Sequence, residues 1–99
     1  MKKDIVCAYL KANCWGKKHM VTSKTLEQTL RMSGNELRSQ INCLRREGIP
    51  IASSGAGYFY AETAADIYTT IRRLEKMRRG LDAAIESLEQ TMEKFGDAH

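Results

Sequence analysis

Between Thr63 and Phe95 the chain contains no proline, and its large apolar residues recur at steps of four and three. They are Ile67, Ile71, Leu74, Leu81, Ile85, Leu88, Met92 and Phe95, with one vacancy at Arg78. Such spacing lines them up on one side of an α-helix, and Thr63 with Asp66 supplies a capping-box pattern at its start. A helix over 63–95 is about 50 Å long, which exceeds the width of a core built from the remaining sixty or so residues. One or two turns can fold back on that core; the rest needs a partner. We therefore read these eight residues as a dimerisation seam. In heptad terms Glu75, Asp82 and Glu89 occupy e positions without complementary bases in a parallel pair, which favours antiparallel pairing or a small bundle. Gly80, beside Arg78 and Arg79, is the place where the helix would break into two, 63–79 and 81–95.

Charge divides the chain at about the same point. The 99 residues carry a net charge of +4. Residues 1–61 hold ten Lys/Arg against four acids, and 62–99 hold six against eight. An anionic polymer such as nucleic acid is expected to dock on the amino-terminal part, so the chain is divided into a domain over 1–61 and an amphipathic arm over 62–99. No apolar run approaches the ~18 residues of a membrane span, and the start, MKKDIVCAYLKA, is too interrupted by charge for a secretory leader. A cytoplasmic protein is expected.

Within the basic part, MSGNELRSQINCLRRE (32–47) has one apolar and one cationic face. On a helix over 33–47, Leu37, Ile41 and Leu44 cluster within about 60°, while Asn35, Arg38, Ser39, Asn42, Arg45 and Arg46 gather opposite. Ser33 and Glu36 have capping-box spacing, and Gly48 with Pro50 ends the helix.

Ahead of it, Asp4–Ala12 reads as a helix buried along Ile5, Ala8, Tyr9 and Ala12, widened by Val6 and Leu10. Residues 13–18 read as a loop in which Trp15 lids the core, and Met20 and Val21 as a very short strand. Thr22 or Ser23 caps a short helix over 24–30, with 31–34 as the turn into the central helix. After it, Ile49–Ser53 and Tyr58–Tyr60 flank Ser54-Gly55-Ala56-Gly57 as a small hairpin. Alternation places Tyr58 and Tyr60 on the core side and Phe59 outward, under a further element that the last third of the chain supplies. Cys7, Cys14 and Cys43 lack paired ligand spacing, so free thiols are expected, Cys7 in the core, with no metal and no cofactor.

Two short helices joined by a glycine-containing turn, followed by a hairpin, resemble the winged helix-turn-helix domains of bacterial and prophage regulators, including the amino-terminal domain of the biotin operon repressor. The resemblance covers residues 22–61 and rests on Thr22-Ser23, Leu26, Leu30, Met32-Ser33, Leu37, Ile41-Asn42, Leu44-Arg45, Gly48-Ile49-Pro50-Ile51 and Gly57-Tyr58. It implies a mainly α fold with a small β-hairpin wing, continued here by a long C-terminal helix. It also implies that Gly34, Asn35, Arg38, Ser39 and Asn42 face the major groove of DNA. Arg38 is suited to guanine, Asn35 and Asn42 to adenine, and Ser39 and Arg45 to phosphates, with Arg46 also expected at the DNA. Two features depart from the pattern: Gly34 offers no side chain, and the turn 54–57 carries no base.

The expected function is sequence-specific binding of double-stranded DNA by a small homodimeric transcriptional regulator. The alternatives are a winged-helix module that binds another protein, and a sequence-independent DNA-binding or replication accessory protein. No catalytic activity is expected, because His19 and His99 stand in no recognisable catalytic motif.

Overall fold

The central helix, α3 (Gly34–Arg46), organises the folded body, as seen in the computed structural model, which describes residues 2–96. Its capping box forms as spelled: the Ser33 hydroxyl accepts from the Glu36 amide, and the Glu36 carboxylate accepts from the Ser33 amide. Gly48, at φ +87°, ends it in the left-handed conformation that only glycine adopts without strain. Leu37, Ile41 and Leu44 are buried along one side. Against them pack α1 (Lys2–Asn13), α2 (Ser23–Leu30) and a two-stranded antiparallel hairpin, β1 (Ile51–Ser54) and β2 (Gly57–Tyr60). The molecule is mainly helical with one small hairpin, and a long helix α4 (Ala64–Glu93) completes it.

α1 buries a different face from the expected one. Val6 and Leu10 are fully buried, whereas Ile5, Ala8 and Ala12 are exposed. Apolar residues occur on both sides of this helix, so periodicity alone leaves its rotation open. Packing of Val6 and Leu10 into the core sets it, and the exposed pairs Lys2 with Glu36 and Lys3 with Glu47 accompany it, tying α1 to the first turn of α3 and to the residue that ends it. Cys14, not Cys7, is the buried thiol, while Cys7 and Cys43 are half-buried, and all three are free.

The hairpin is wider than two strands. Val21 and Tyr58 exchange backbone hydrogen bonds of 2.9 and 2.8 Å, and Tyr60 is bonded to Cys14 and Gly16 further along the same edge. Gly57 permits this approach, because a Cβ there would lie 2.1 Å from the Val21 carbonyl oxygen. Trp15 covers Tyr60 rather than the core: the rings stack at 5.1 Å and the indole stays half-exposed. Phe59 is covered as expected, but it lies on the core side. It is 3% exposed and belongs to the core cluster, with Asp66 and Thr69 of α4 lining a small cavity beside it, while Tyr58 and Tyr60 are half-buried.

α4 begins at the Thr63–Asp66 capping box and runs unbroken through Gly80. Thirty residues make it about 45 Å long, in a molecule of 55 × 30 × 23 Å. Phe95 lies just past its end, in a turn. Its first turns dock on β1: Thr70, the one buried residue of the helix, donates its hydroxyl to the Asp66 carbonyl at 2.9 Å and accepts from the Ser53 amide at 3.1 Å. Beyond that clamp it leaves the body. No helix among the described residues is long and apolar enough to cross a membrane.

Candidate nucleic-acid interface

α3 presents three faces, two of which meet the rest of the chain. The core face is Leu37, Ile41 and Leu44; a second row, Glu36, Cys43 and Glu47, turns towards the lysines of α1. Lys3 holds the Glu47 carboxyl below the usual carboxylate range, and Lys2 does the same for Glu36. The third face carries Asn35, Arg38, Ser39, Asn42 and Arg46, at i, i+3, i+4, i+7 and i+11, and all five are exposed. The row spans about 16 Å of helix, comparable with the ~12 Å width of a B-DNA major groove.

Arg38 donates to the Asn35 side-chain oxygen, so these two members of the exposed row are held together. Gly34 belongs to this arrangement. A Cβ there would lie 3.3 Å from a Glu27 carboxylate oxygen and 3.4 Å from an Arg38 guanidinium nitrogen, so both side chains converge over the bare backbone. Glu27 in turn accepts from Ser23 at 2.9 Å.

Arg45 has a different place from the one expected of a phosphate contact. Its Nε donates to the Ile51 carbonyl at 2.9 Å and its Nη2 to the Ser53 hydroxyl at 3.1 Å, joining α3 to β1. Burial lowers the pKa of this guanidinium, and the neighbouring charge of Arg73 adds to the effect. Helical geometry already contained the signal, since residue 45 lies about 40° from Ile41 and about 80° from the centre of the exposed row. Arg46 is on that row.

A cleft of about 410 Å³ adjoins Arg45 between the start of α2, the hairpin turn and α4. Lys24, Arg45 and Arg73 bring three cations to its wall, alongside the hydroxyls of Thr22, Ser23 and Ser54, and no acid lines it. The hairpin turn itself offers only backbone and Ser54, whose hydroxyl accepts from the Ala56 amide. Arg73 approaches it from α4, with an Nη1 3.9 Å from where a Gly55 Cβ would stand.

Ile67 packs against the core, and Ile71 and Leu74 sit where α4 leaves it. Leu81, Ile85, Leu88, Met92 and Phe95 are 55–70% exposed. His19 is exposed in a short 3-10 turn, and His99 lies outside the described residues. Among the described residues no group of three or more His, Cys, Asp and Glu side chains is placed to hold a metal ion. No family model, no curated protein and no solved structure matches the chain.

Proposed function

We propose that the protein is a cytoplasmic, homodimeric, sequence-specific binder of double-stranded DNA, acting as a small transcriptional regulator of the winged helix-turn-helix kind. One observation carries the reading: a helix set on a folded core turns outward a continuous row of Asn35, Arg38, Ser39, Asn42 and Arg46 that no other element covers. Two amides, a fork-shaped cation and a hydroxyl are the groups that read base edges, and a second arginine at the end of the row suits a phosphate. Lys24 and Arg73, around the cleft beside the hairpin, add cations for the sugar–phosphate backbone on the flank of α3. The uncharged hairpin turn serves chiefly as the strut that holds α4 against the body.

The test is selection from a pool of randomised duplexes with the full chain. Enrichment of a two-fold symmetric site with half-sites about 34 Å apart is expected. An unenriched pool that still binds would make the protein a sequence-independent DNA binder. The exposed apolar face of α4 and the base-free hairpin turn favour one other reading, a module that binds a different protein. A folded chain that retains no duplex at low salt would establish that alternative as the better one.

A further inference from the structure

From Ile71 to Phe95 every large apolar residue of the α4 stripe is at least 36% exposed, and six of them are more than half exposed. An apolar surface this long and continuous marks an interface. The charges beside it state which. Residues 72–79 contain five bases and one acid, whereas residues 80–93 contain four acids and no base. Two copies laid parallel and in register would set base against base and acid against acid. Laid antiparallel, each basic half meets an acidic half.

Pairing the stripe with its own reverse selects a register. About a two-fold axis at Leu81, Leu74 stands level with the partner's Leu88 and Met77 with the partner's Ile85, and the partner's Met92 falls one residue from level with Ile71. Lys76 comes level with the partner's Glu86, and Arg72 and Arg79 lie within one residue of level with the partner's Glu89 and the partner's Asp82.

The same register explains an apolar groove on the body. Ile67, Ile71 and Leu74 of α4 and Ile49, Pro50 and Ile51 after α3 line a space of about 370 Å³ that none of the described residues fills. It lies where the partner's Met92 and Phe95 arrive. We propose that two copies pair antiparallel through α4 about Leu81, the C-terminal end of each helix seated in the groove between α4 and the Gly48–Ile51 turn of the other.

This arrangement rests on the homodimeric part of the reading above and adds its geometry. Each body is clamped to α4 near Thr70, eleven residues from the axis, so the two bodies stand about 33 Å apart along the helices. One turn of B-DNA, the expected half-site spacing, is about 34 Å. Parallel pairing would bring both bodies to one end of the arm.

The experiment uses the full chain without DNA, which keeps its outcome separate from that of DNA binding. A photoreactive benzoylphenylalanine replaces Phe95, an exposed aromatic, and isotopically light and heavy copies are mixed, irradiated and mapped by mass spectrometry, with molar mass measured in parallel. The expected result is a dimer of the 11.2 kDa chain whose inter-copy cross-links fall on Ile49–Pro50 and Ile67–Ile71. Leu81→Asp, at the axis, should weaken the dimer at least 100-fold while leaving the body folded. Inter-copy cross-links on residues 88–95 would mean parallel pairing and overturn the proposal, as would a monomer at 100 μM or a Leu81→Asp variant that dimerises like wild type.

Discussion

Arg45→Ala separates a structural arginine from a DNA-contacting one. The guanidinium bridges α3 to β1 through hydrogen bonds of 2.9 Å to the Ile51 carbonyl and 3.1 Å to the Ser53 hydroxyl. Hydrogen bonds from a charged donor contribute about 1.5–3 kcal/mol each when buried. Arg45 is only half-buried, so truncation also relieves its desolvation and admits water to both acceptors, leaving an expected loss of about 2 kcal/mol. For a domain of this size that lowers the melting temperature by about 8–16 °C. Arg38→Ala removes an exposed side chain and should stay within about 0.5 kcal/mol of wild type, while weakening specific binding by roughly 1–3 kcal/mol. Thermal unfolding followed by circular dichroism gives the first pair of numbers and fluorescence anisotropy the second. Arg45→Ala melting at the wild-type temperature while losing DNA as Arg38→Ala does would refute the assignment. Arg45→Lys should behave nearly as badly as alanine, because a single ammonium cannot span both acceptors in the guanidinium geometry.

Other perturbations test the frame around the interface. Gly57→Ala forces a Cβ against the Val21 backbone at 2.1 Å and should cost about 3 kcal/mol by breaking the Val21–Tyr58 pairing; Gly55→Ala, whose nearest neighbour is 3.9 Å away, should cost almost nothing in the same urea titration. Gly80→Ala meets open space and should stabilise α4 by about 1 kcal/mol, seen as slower amide exchange around residue 80 rather than a higher melting point of the body. The carboxyls of Glu36 and Glu47 titrate below their ordinary range because of Lys2 and Lys3, so their contribution is complete above that range and is lost as pH falls through the lowered values. Lys3, raised by Glu47, loses its share only as pH climbs past the ordinary lysine range. A Glu36→Gln, Glu47→Gln double variant should therefore show a shallower acid limb in melting temperature against pH, and an unchanged limb would remove these pairs from the account.

What could be read in advance follows from how far each signal reaches along the chain. Both capping boxes, the Gly48 stop and the α4 repeat are local patterns, and all of them form as spelled. The rotation of α1 is hidden in the pattern because Ile5 and Val6 are equivalent there, and what distinguishes them is packing against core residues more than twenty positions away, with lysines meeting acids 34 and 44 residues away alongside. Thr70 looks like an ordinary polar residue on the edge of the stripe until the Ser53 amide, 17 positions earlier, is placed against it. Alternation separates Phe59 from Tyr58 and Tyr60, and α4 does lie beside Phe59, but which side of the hairpin joins the core depends on packing against distant elements, and there Phe59 is buried while the two tyrosines are half-buried. Of the six residues expected at DNA, five share the exposed face of α3, and Arg45 departs because β1 supplies acceptors that helical periodicity does not contain.

Anisotropy of a labelled mixed-sequence duplex of about 30 base pairs, titrated with wild type and with Arg38→Ala plus Arg46→Ala between 50 and 200 mM salt, tests the α3 face most directly. Steeply salt-dependent binding is predicted, with a smaller salt slope and weaker affinity for the double variant. Wild-type protein that is folded yet binds no duplex at 50 mM salt, or a double variant that binds as wild type does, would contradict the assignment of α3 as the DNA-reading helix.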